Sequence, residues 1–323
     1  MLQLLSAYPE TTRERDAWIV ARRGERNTVD PSRPHAFFVE HERTAAGEIA
    51  PTATIFLTNR ECPWRCLMCD LWRNTLVETT PAGSIPRQID YALEHLPAAH
   101  QIKLYNSGSF FDPHAIPVED YRTIAERVSS FERVIVECHP ALVNESSVRF
   151  RNLLTGKLEV AMGLETVHPE ILARLNKRMT LEMFAKTAQF LRKNEIDLRV
   201  FILIKPPFMR EEDAVEWAAR SLDFAFDCGA TAAVLIPTRG GNGAIDELAA
   251  MGDFSPPALK TLEAAVEYGI SLPQGRVFAD LWDAQAWPRC VACREQRIAR
   301  LRTMNHEQRV PAQVQCEQCE HSQ

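Results

Sequence analysis

Six short apolar, β-branched runs alternate with longer segments of helical spacing through the middle of this chain, and that rhythm restricts the fold more than any other feature. The runs are 53–58, 102–106 (IKLYN), 133–137 (RVIVE), 158–163 (LEVAMG), 198–204 (LRVFILI) and 231–236 (TAAVLI). Their length and composition read as strands. The stretches between them, 85–96, 118–130, 144–155, 181–194 and 211–228, space apolar residues as a helix does and carry Asn or Thr at candidate caps. Strand–helix–strand order requires parallel pairing through right-handed crossovers, and repeated crossovers curl the sheet. The expected class is therefore α/β, a partial (β/α)6 barrel over 51–270. An N-terminal extension, 1–50, precedes it with a helix in 10–23, a breaker-rich 27–34 and a short strand at 36–40. A small C-terminal unit, 271–323, follows.

Composition narrows the partners. The 323 residues suffice for one large core and a small accessory unit. With 37 basic against 43 acidic side chains, net charge −6, the whole protein has no attraction for nucleic acid or an anionic membrane, so RNA binding would need a local basic surface. No apolar stretch has the length of a spanning helix, and the first residues lack the pattern of a signal peptide, so a cytoplasmic protein without a membrane partner is expected. Nine cysteines, an odd number, point to metal ligation rather than a disulfide framework.

Three of those cysteines, Cys62, Cys66 and Cys69, fall within eight residues directly after the first strand run. Such a C-x3-C-x2-C loop can hold three irons of a 4Fe-4S cube and leaves the fourth iron without a protein ligand. A structural zinc site would need four protein ligands, and no nearby His or Cys completes the set. The later runs also end in polar turns, where α/β barrels place their chemistry. Asn106, Ser107, Gly108 and Ser109 form a small-residue turn after the second run. Glu137 and His139 end the third, Gly163-Leu164-Glu165-Thr166 the fourth, and Lys205-Pro206-Pro207-Phe208 the fifth, with Arg199 near its start. Asn176-Lys177-Arg178 offers basic side chains to a carboxylate or phosphate. Cys138 reads as a small packed side chain.

The cysteine loop, in this strand–loop context, resembles the radical S-adenosylmethionine (radical SAM) superfamily. The resemblance implies that Cys62, Cys66 and Cys69 hold a catalytic 4Fe-4S cluster whose open iron is chelated by S-adenosylmethionine, with an external flavodoxin- or ferredoxin-type electron donor. Met68 stands where the family usually has an aromatic residue, and its polarizable side chain can pack beside an adenine. By the same resemblance Asn106, Ser107, Gly108 and Ser109 meet the methionine end of the cosubstrate, Glu165 accepts hydrogen bonds from its ribose hydroxyls, and Ile204 rests against the adenine, while Glu137, a carboxylate at a strand end on that face, is a further hydrogen-bonding candidate for it. Arg199 and Lys205 flank the same strand as further candidates. The motif order Ser107-Gly108-Ser109-Phe110, Gly163-Leu164-Glu165-Thr166, Asn176-Lys177 and Lys205-Pro206-Pro207-Phe208 looks like the radical SAM subunit of archaeosine synthase, close to the elongator-type group. That family implies a 7-deazaguanine-type nucleoside in tRNA as substrate, radical C–N cleavage as the reaction, and tRNA or a partner modification enzyme as partner. A small-molecule metabolite is the alternative substrate class.

Two further knuckles, Cys290-x2-Cys293 and Cys316-x2-Cys319, form a four-thiolate signature near the C-terminus. Zinc is favoured by paired C-x2-C spacing, while a second, auxiliary 4Fe-4S cluster would use the same thiolates. Arg289, Arg294, Arg297, Arg300, Arg302 and Arg309 lie in and around this unit and would form a local basic surface suited to RNA phosphate, or a helix face packed over apolar surface. Two other functional classes compete with an enzyme: a zinc-ribbon RNA-binding protein, and an Fe-S electron-transfer subunit. Neither requires the row of strands ending in polar turns.

Overall fold

The computed structural model describes residues 7–284 and 290–320, without the side chains of 319 and 320. In chain order the elements are α1 (Thr12–Val20), β1 (Ala36–Arg43), β2 (Ile49–Phe56), α2 (Ser84–His95), β3 (Gln101–Tyr105), α3 (Tyr121–Arg127), β4 (Arg133–Glu137), α4 (Glu145–Leu153), β5 (Lys157–Glu165), α5 (Pro169–Arg174), α6 (Leu181–Lys193), β6 (Asp197–Ile204), α7 (Ala214–Asp227), β7 (Ala232–Pro237), α8 (Ala244–Met251), α9 (Leu259–Ser271), β8 (Arg276–Ala279), α10 (Arg294–Glu307) and α11 (Glu317–Glu320). The strands form one sheet in the order β1 to β8. β1 runs antiparallel to β2, and every later pair is parallel. All six expected strands are present. The expected short strand at 36–40 is the antiparallel β1, and β8 is a further parallel strand, too short and too arginine-led to stand out as an apolar run.

Side-chain alternation gives this curved sheet two unlike faces. Ile102, Leu104, Val134, Val136, Leu158, Val160, Val200, Ile202 and Leu235 point outward and are fully buried beneath Ile85, Ile89, Ile124, Phe150, Phe184, Leu222 and Leu262 of the helices. Their inward neighbours Phe56, Tyr105, Glu137, Phe201, Val234 and Ile236 are only partly buried. The concave face therefore borders an open lumen. Edge strands invite unwanted pairing, and here the free edge of β8 is closed by side chains of α10 and of the residue that caps its end. Asn305 exchanges two bonds with Ala279, 2.7 and 2.9 Å, and Gln308 exchanges two with Val277, both 2.7 Å.

The lumen has an ionic floor. Lys103 on β3 binds Glu40 and Glu42 of β1 at 2.8 and 2.5 Å. Arg199 on β6 reaches across to Glu42 at 2.6 Å and binds Glu159 of β5 at 2.5 Å. Glu159 also meets Arg133 at 2.9 Å and Arg276 at 3.5 Å. Burial opposes ionisation of Glu42 and Glu159, yet the surrounding cations hold both carboxyls below their usual range. At the opposite rim a second apolar cluster joins Tyr8, Trp18 and Ile19 of the N-terminal segment to Leu67, Ile171, Leu175, Leu203, Ile245 and Leu248. That segment thereby covers the cysteine loop. Among the described residues no helix is long and apolar enough to cross a membrane.

Candidate functional site

The loop that leaves β2 carries Cys62, Cys66 and Cys69, and it is clamped by groups distant in sequence. The Leu67 N–H donates to Leu175 O at 2.9 Å, Asn176 Nδ2 to Arg65 O at 2.8 Å, and Asn242 Nδ2 to Leu67 O at 2.8 Å. Glu61 binds Arg23 at 2.7 Å, Arg65 at 3.1 Å and also Arg26, so the N-terminal segment is tied to the loop by charge as well as packing. Burial pushes all three thiols up to about 12. A bound cation would displace those protons, because coordinating thiols are deprotonated outright. The loop thiols do not all lie within 4.8 Å of one another, whereas Cys290, Cys293 and Cys316 do. Thiolates on one tetrahedral ion sit about 3.8 Å apart, given metal–sulfur bonds of about 2.3 Å. A loop that presents three thiolates offers each a separate iron of a cluster.

The turn after β3 lies against this loop. A Cβ on Gly108 would stand 3.4 Å from the Cys62 Cβ, and the turn is held from beneath by Glu137, which accepts from the N–H groups of Asn106 at 2.6 Å and Gly108 at 3.4 Å. Burial raises the Glu137 carboxyl above its usual range in spite of those donors. Glu137 therefore shapes the turn. The Oγ of Ser109 accepts from the His139 N–H at 2.9 Å. Asn106 Nδ2 and Oδ1 and Ser107 Oγ are buried without a hydrogen-bond partner. Buried amides and hydroxyls are seldom left unpaired, so these three atoms mark where a polar ligand fits.

Glu165, with φ of 66°, accepts from Lys177 Nζ at 2.6 Å over the Cα of Gly163. Any Cβ on Gly163 would run into both side chains, which explains the glycine. Burial disfavours the Lys177 charge, but Glu165, Cys66 and Cys62 outweigh it and raise the ammonium above its usual range. Lys177 is thus a buried cation facing the cysteine loop and meeting a carboxylate, the role open to it from sequence. Ser107, Glu165, Asn176, Arg178, Lys205 and Phe208 all hold positive φ at the ends of the parallel strands or the loops beside them. Left-handed backbone in non-glycine residues concentrates at functional sites.

His139 stacks on Trp64 of the cysteine loop, centroids 3.9 Å apart at 17°, while its Nδ1 accepts from Ala141 N and its Nε2 pairs with Lys177 O at 2.9 Å. Burial and the Lys177 charge push its imidazole down to about 3. A folded value below the unfolded one means that the unfolded chain binds the extra proton between the two, so His139 contributes stability above about pH 6.5 that is lost as pH falls towards 3. From pH 7 to 4 the wild type should lose on the order of 3 kcal/mol through this group. A His139→Gln variant should show a flatter urea-midpoint profile over that window, and an unchanged slope would refute the assignment.

Other candidates sit elsewhere. Ile204 faces the helices, fully buried in the main core, because strand parity turns Leu203 and Lys205 inward instead. Arg199 belongs to the floor near the start of β6, not to the rim. Lys205 Nζ donates to Ser255 O at 2.6 Å and anchors the loop before α9. Met68 packs beside the second apolar cluster. The clamping role of Asn176 and Asn242 was invisible in sequence, since an isolated Asn in a polar loop carries no signal of its distant partner.

At the C-terminus, Cys290 and Cys316 Sγ atoms are 3.5 Å apart, and Cys293, 2% exposed, completes a triad that can hold a metal. The Cys319 side chain and Arg289 lie outside the described residues. The expected basic surface is not formed by Arg297 and Arg300, which are buried. Arg297 binds Glu263 and donates to Val314 O, while Arg300 binds Glu267 at 2.7 Å and donates to Ala312 O and Pro311 O. They fasten the tail to α9.

No protein-family model matches the chain. An uncharacterized protein of Methanocaldococcus jannaschii is 25% identical over 272 residues, 79% of this chain and 74% of that protein. Archaeosine synthase subunit beta of Methanosarcina acetivorans is 27% identical over 221 residues, 64% of this chain and 64% of the subunit, so the match spans less than two thirds of that relative. Among solved structures, methylornithine synthase (PylB) superposes with a TM-score of 0.50 at 13% identity, over 69% of this chain and 64% of that one. Coproporphyrinogen III oxidase (HemN) from Escherichia coli, a radical SAM enzyme, gives 0.48 at 11% identity over 80% and 55%. The chain has the radical SAM fold. It also resembles archaeosine synthase subunit beta in sequence. Within the radical SAM fold the cysteine loop, the Asn106–Ser109 turn and the Glu165–Lys177 pair share one rim of the half-barrel.

Proposed function

We propose that this protein is a radical SAM enzyme that acts on a modified, 7-deazaguanine-type nucleoside of tRNA, with C–N bond cleavage as the reaction. The observation that carries the enzymatic reading is the junction of three clamped thiols with the unpaired polar atoms of Asn106 and Ser107. Cys62, Cys66 and Cys69 would hold the 4Fe-4S cluster. Asn106, Ser107 and Ser109 would meet the amino end of S-adenosylmethionine, Lys177 its carboxylate, and Glu165 its hydroxyls. When bound, the cluster and cosubstrate supply a 5′-deoxyadenosyl radical that removes hydrogen from the substrate. The chain's own part is to orient and enclose. Glu137 holds the turn, Asn176 and Asn242 hold the loop, and the N-terminal segment covers its outer side. An external flavodoxin- or ferredoxin-type protein would deliver the electron. The tRNA assignment is supported by the similarity to archaeosine synthase subunit beta.

Anaerobic reconstitution tests this reading. About four irons at the loop and 5′-deoxyadenosine on adding dithionite and S-adenosylmethionine are expected. An intact cluster that yields none would favour electron transfer instead.

For the C-terminal unit we read the metal as zinc, because the triad has the spacing of ligands to a single ion. Bound there, zinc would tie the start of α10 to the tail, and α10 in turn caps β8. Chelation should expose the arginines of 294–309 to trypsin at least ~10-fold faster while the barrel resists, since a metal-held unit loses its fold with its ion. Equal cleavage with and without chelator would show that no ion holds the tail.

A further inference from the structure

Five aromatic rings line the inner wall of the barrel, and none of them belongs to either packed core. Phe38 on β1, Phe56 on β2, Tyr105 on β3 and Phe201 on β6 are partly buried, and Trp282, just after β8, is 51% exposed. Phe38 and Trp282 stack at 5.7 Å and 26°, and Phe56 lies 6.1 Å from each of them. The row continues from Phe56 to Tyr105 at 6.0 Å and to Phe201 at 6.1 Å. Tyr105 directly precedes Asn106, so this wall leads from Trp282 to the rim that bears the cysteine loop. Contiguous aromatic surface left open to solvent beside a polar site is a ligand surface.

An acceptor stands in the wall. Glu40 is two residues beyond Phe38 on the same face of β1. Its Oε1 accepts from Thr54 Oγ1 at 3.0 Å and from Lys103 Nζ at 2.8 Å, whereas Oε2 has no hydrogen-bond partner among the described residues, and the side chain is 43% exposed. Rings alone would hold any planar heterocycle, because every base has a π-face. A carboxylate oxygen with spare lone pairs selects one that presents N–H donors on its edge. Guanine-type bases offer a ring N–H beside an amino group there, and adenine offers a ring acceptor. We infer that Phe38, Phe56 and Trp282 stack the substrate's base and that Glu40 reads its donor edge, selecting a guanine-type ring. The inference rests on the proposed function in treating the bound ring as the substrate.

Equilibrium dialysis of the reconstituted full chain against guanosine, 7-deazaguanosine, adenosine and free lysine tests it. Guanosine and 7-deazaguanosine should bind at least ~10-fold tighter than adenosine, with lysine weakest. Trp282→Ala should weaken all three nucleosides about tenfold, the loss of one stacked ring. Glu40→Gln should erase the preference over adenosine. Equal binding of adenosine and guanosine by the wild type, or unaltered affinities in Trp282→Ala, would overturn the inference. The exposed Trp282 can be replaced without opening a core, so the test stands even if Glu40→Gln does not fold. Deoxyadenosine is scored separately in samples without nucleoside. Selective binding without that product would refute the proposed activity alone, and the product without selectivity would refute the base site alone.

Discussion

Cys66→Ala should lose the bound cluster and with it all 5′-deoxyadenosine formation. Cys66 is the middle thiol of the loop, and its neighbours on both sides are clamped: Arg65 O accepts from Asn176, Leu67 O accepts from Asn242, and the Leu67 N–H donates to Leu175 O. Among the described residues no other thiol on that rim can replace it, since Cys138 is 3% exposed and its Sγ donates to His139 O. The loss should exceed the ~100-fold that removing an outer partner of a metal ligand costs. Asn242→Ala supplies that comparison. It leaves every thiol in place and frees two carbonyls of the loop, Leu67 O and Cys69 O, so a loss of roughly 10–100-fold in cluster content or product is expected. Iron, sulfide and deoxyadenosine measured on both variants check the pair. A Cys66→Ala protein with four irons and product would remove the loop from the mechanism.

Glu159→Gln should destabilise the protein by about 3–5 kcal/mol, the usual effect of breaking a buried ion pair from one side. Glu159 is fully buried, and its two oxygens meet Arg199, Arg133 and Arg276. Removing its charge leaves those guanidinium groups facing one another, and Arg199, only 1% exposed, retains Glu42 alone. The exposed pair Arg220–Glu216 on α7, with 55% and 60% of its side chains in solvent, is the control. Breaking it should leave the urea midpoint unchanged within error. A Glu159→Gln midpoint equal to the wild type would mean that the floor adds nothing to stability. In that case its value would lie in separating the lumen from bulk water.

Residue patterns were informative wherever neighbours in sequence carry the signal. Strand runs and helical spacing predicted the parallel half-barrel because each element buries its own apolar face, a local property. The cysteine loop was legible for a similar reason, since three ligands on one short loop need no distant partner to be recognised. Arg199 was different: a basic residue in a strand looks the same at rim and floor, and only the register that sets it against Glu42 and Glu159 tells them apart. Ile204 was displaced by parity, a shift of one residue that moves a side chain to the other face of the sheet. Arg297 and Arg300 read as a basic surface in sequence and became buried ties, because their acidic partners come from α9, more than thirty residues away.

Local chemistry thus determined the class of fold and the thiol loop, and it pointed to the C-terminal cysteines of which Cys290, Cys293 and Cys316 converge. Tertiary structure alone decided which polar groups converge. The Asn176 and Asn242 clamps, the Glu165–Lys177 pair beside the thiols, the ionic floor and the aromatic wall with Glu40 each join strands or loops that the chain brings together only after the sheet has curled. Hydrogen bonds and ion pairs act over a few ångströms in space, and sequence spacing does not encode that distance between separate elements.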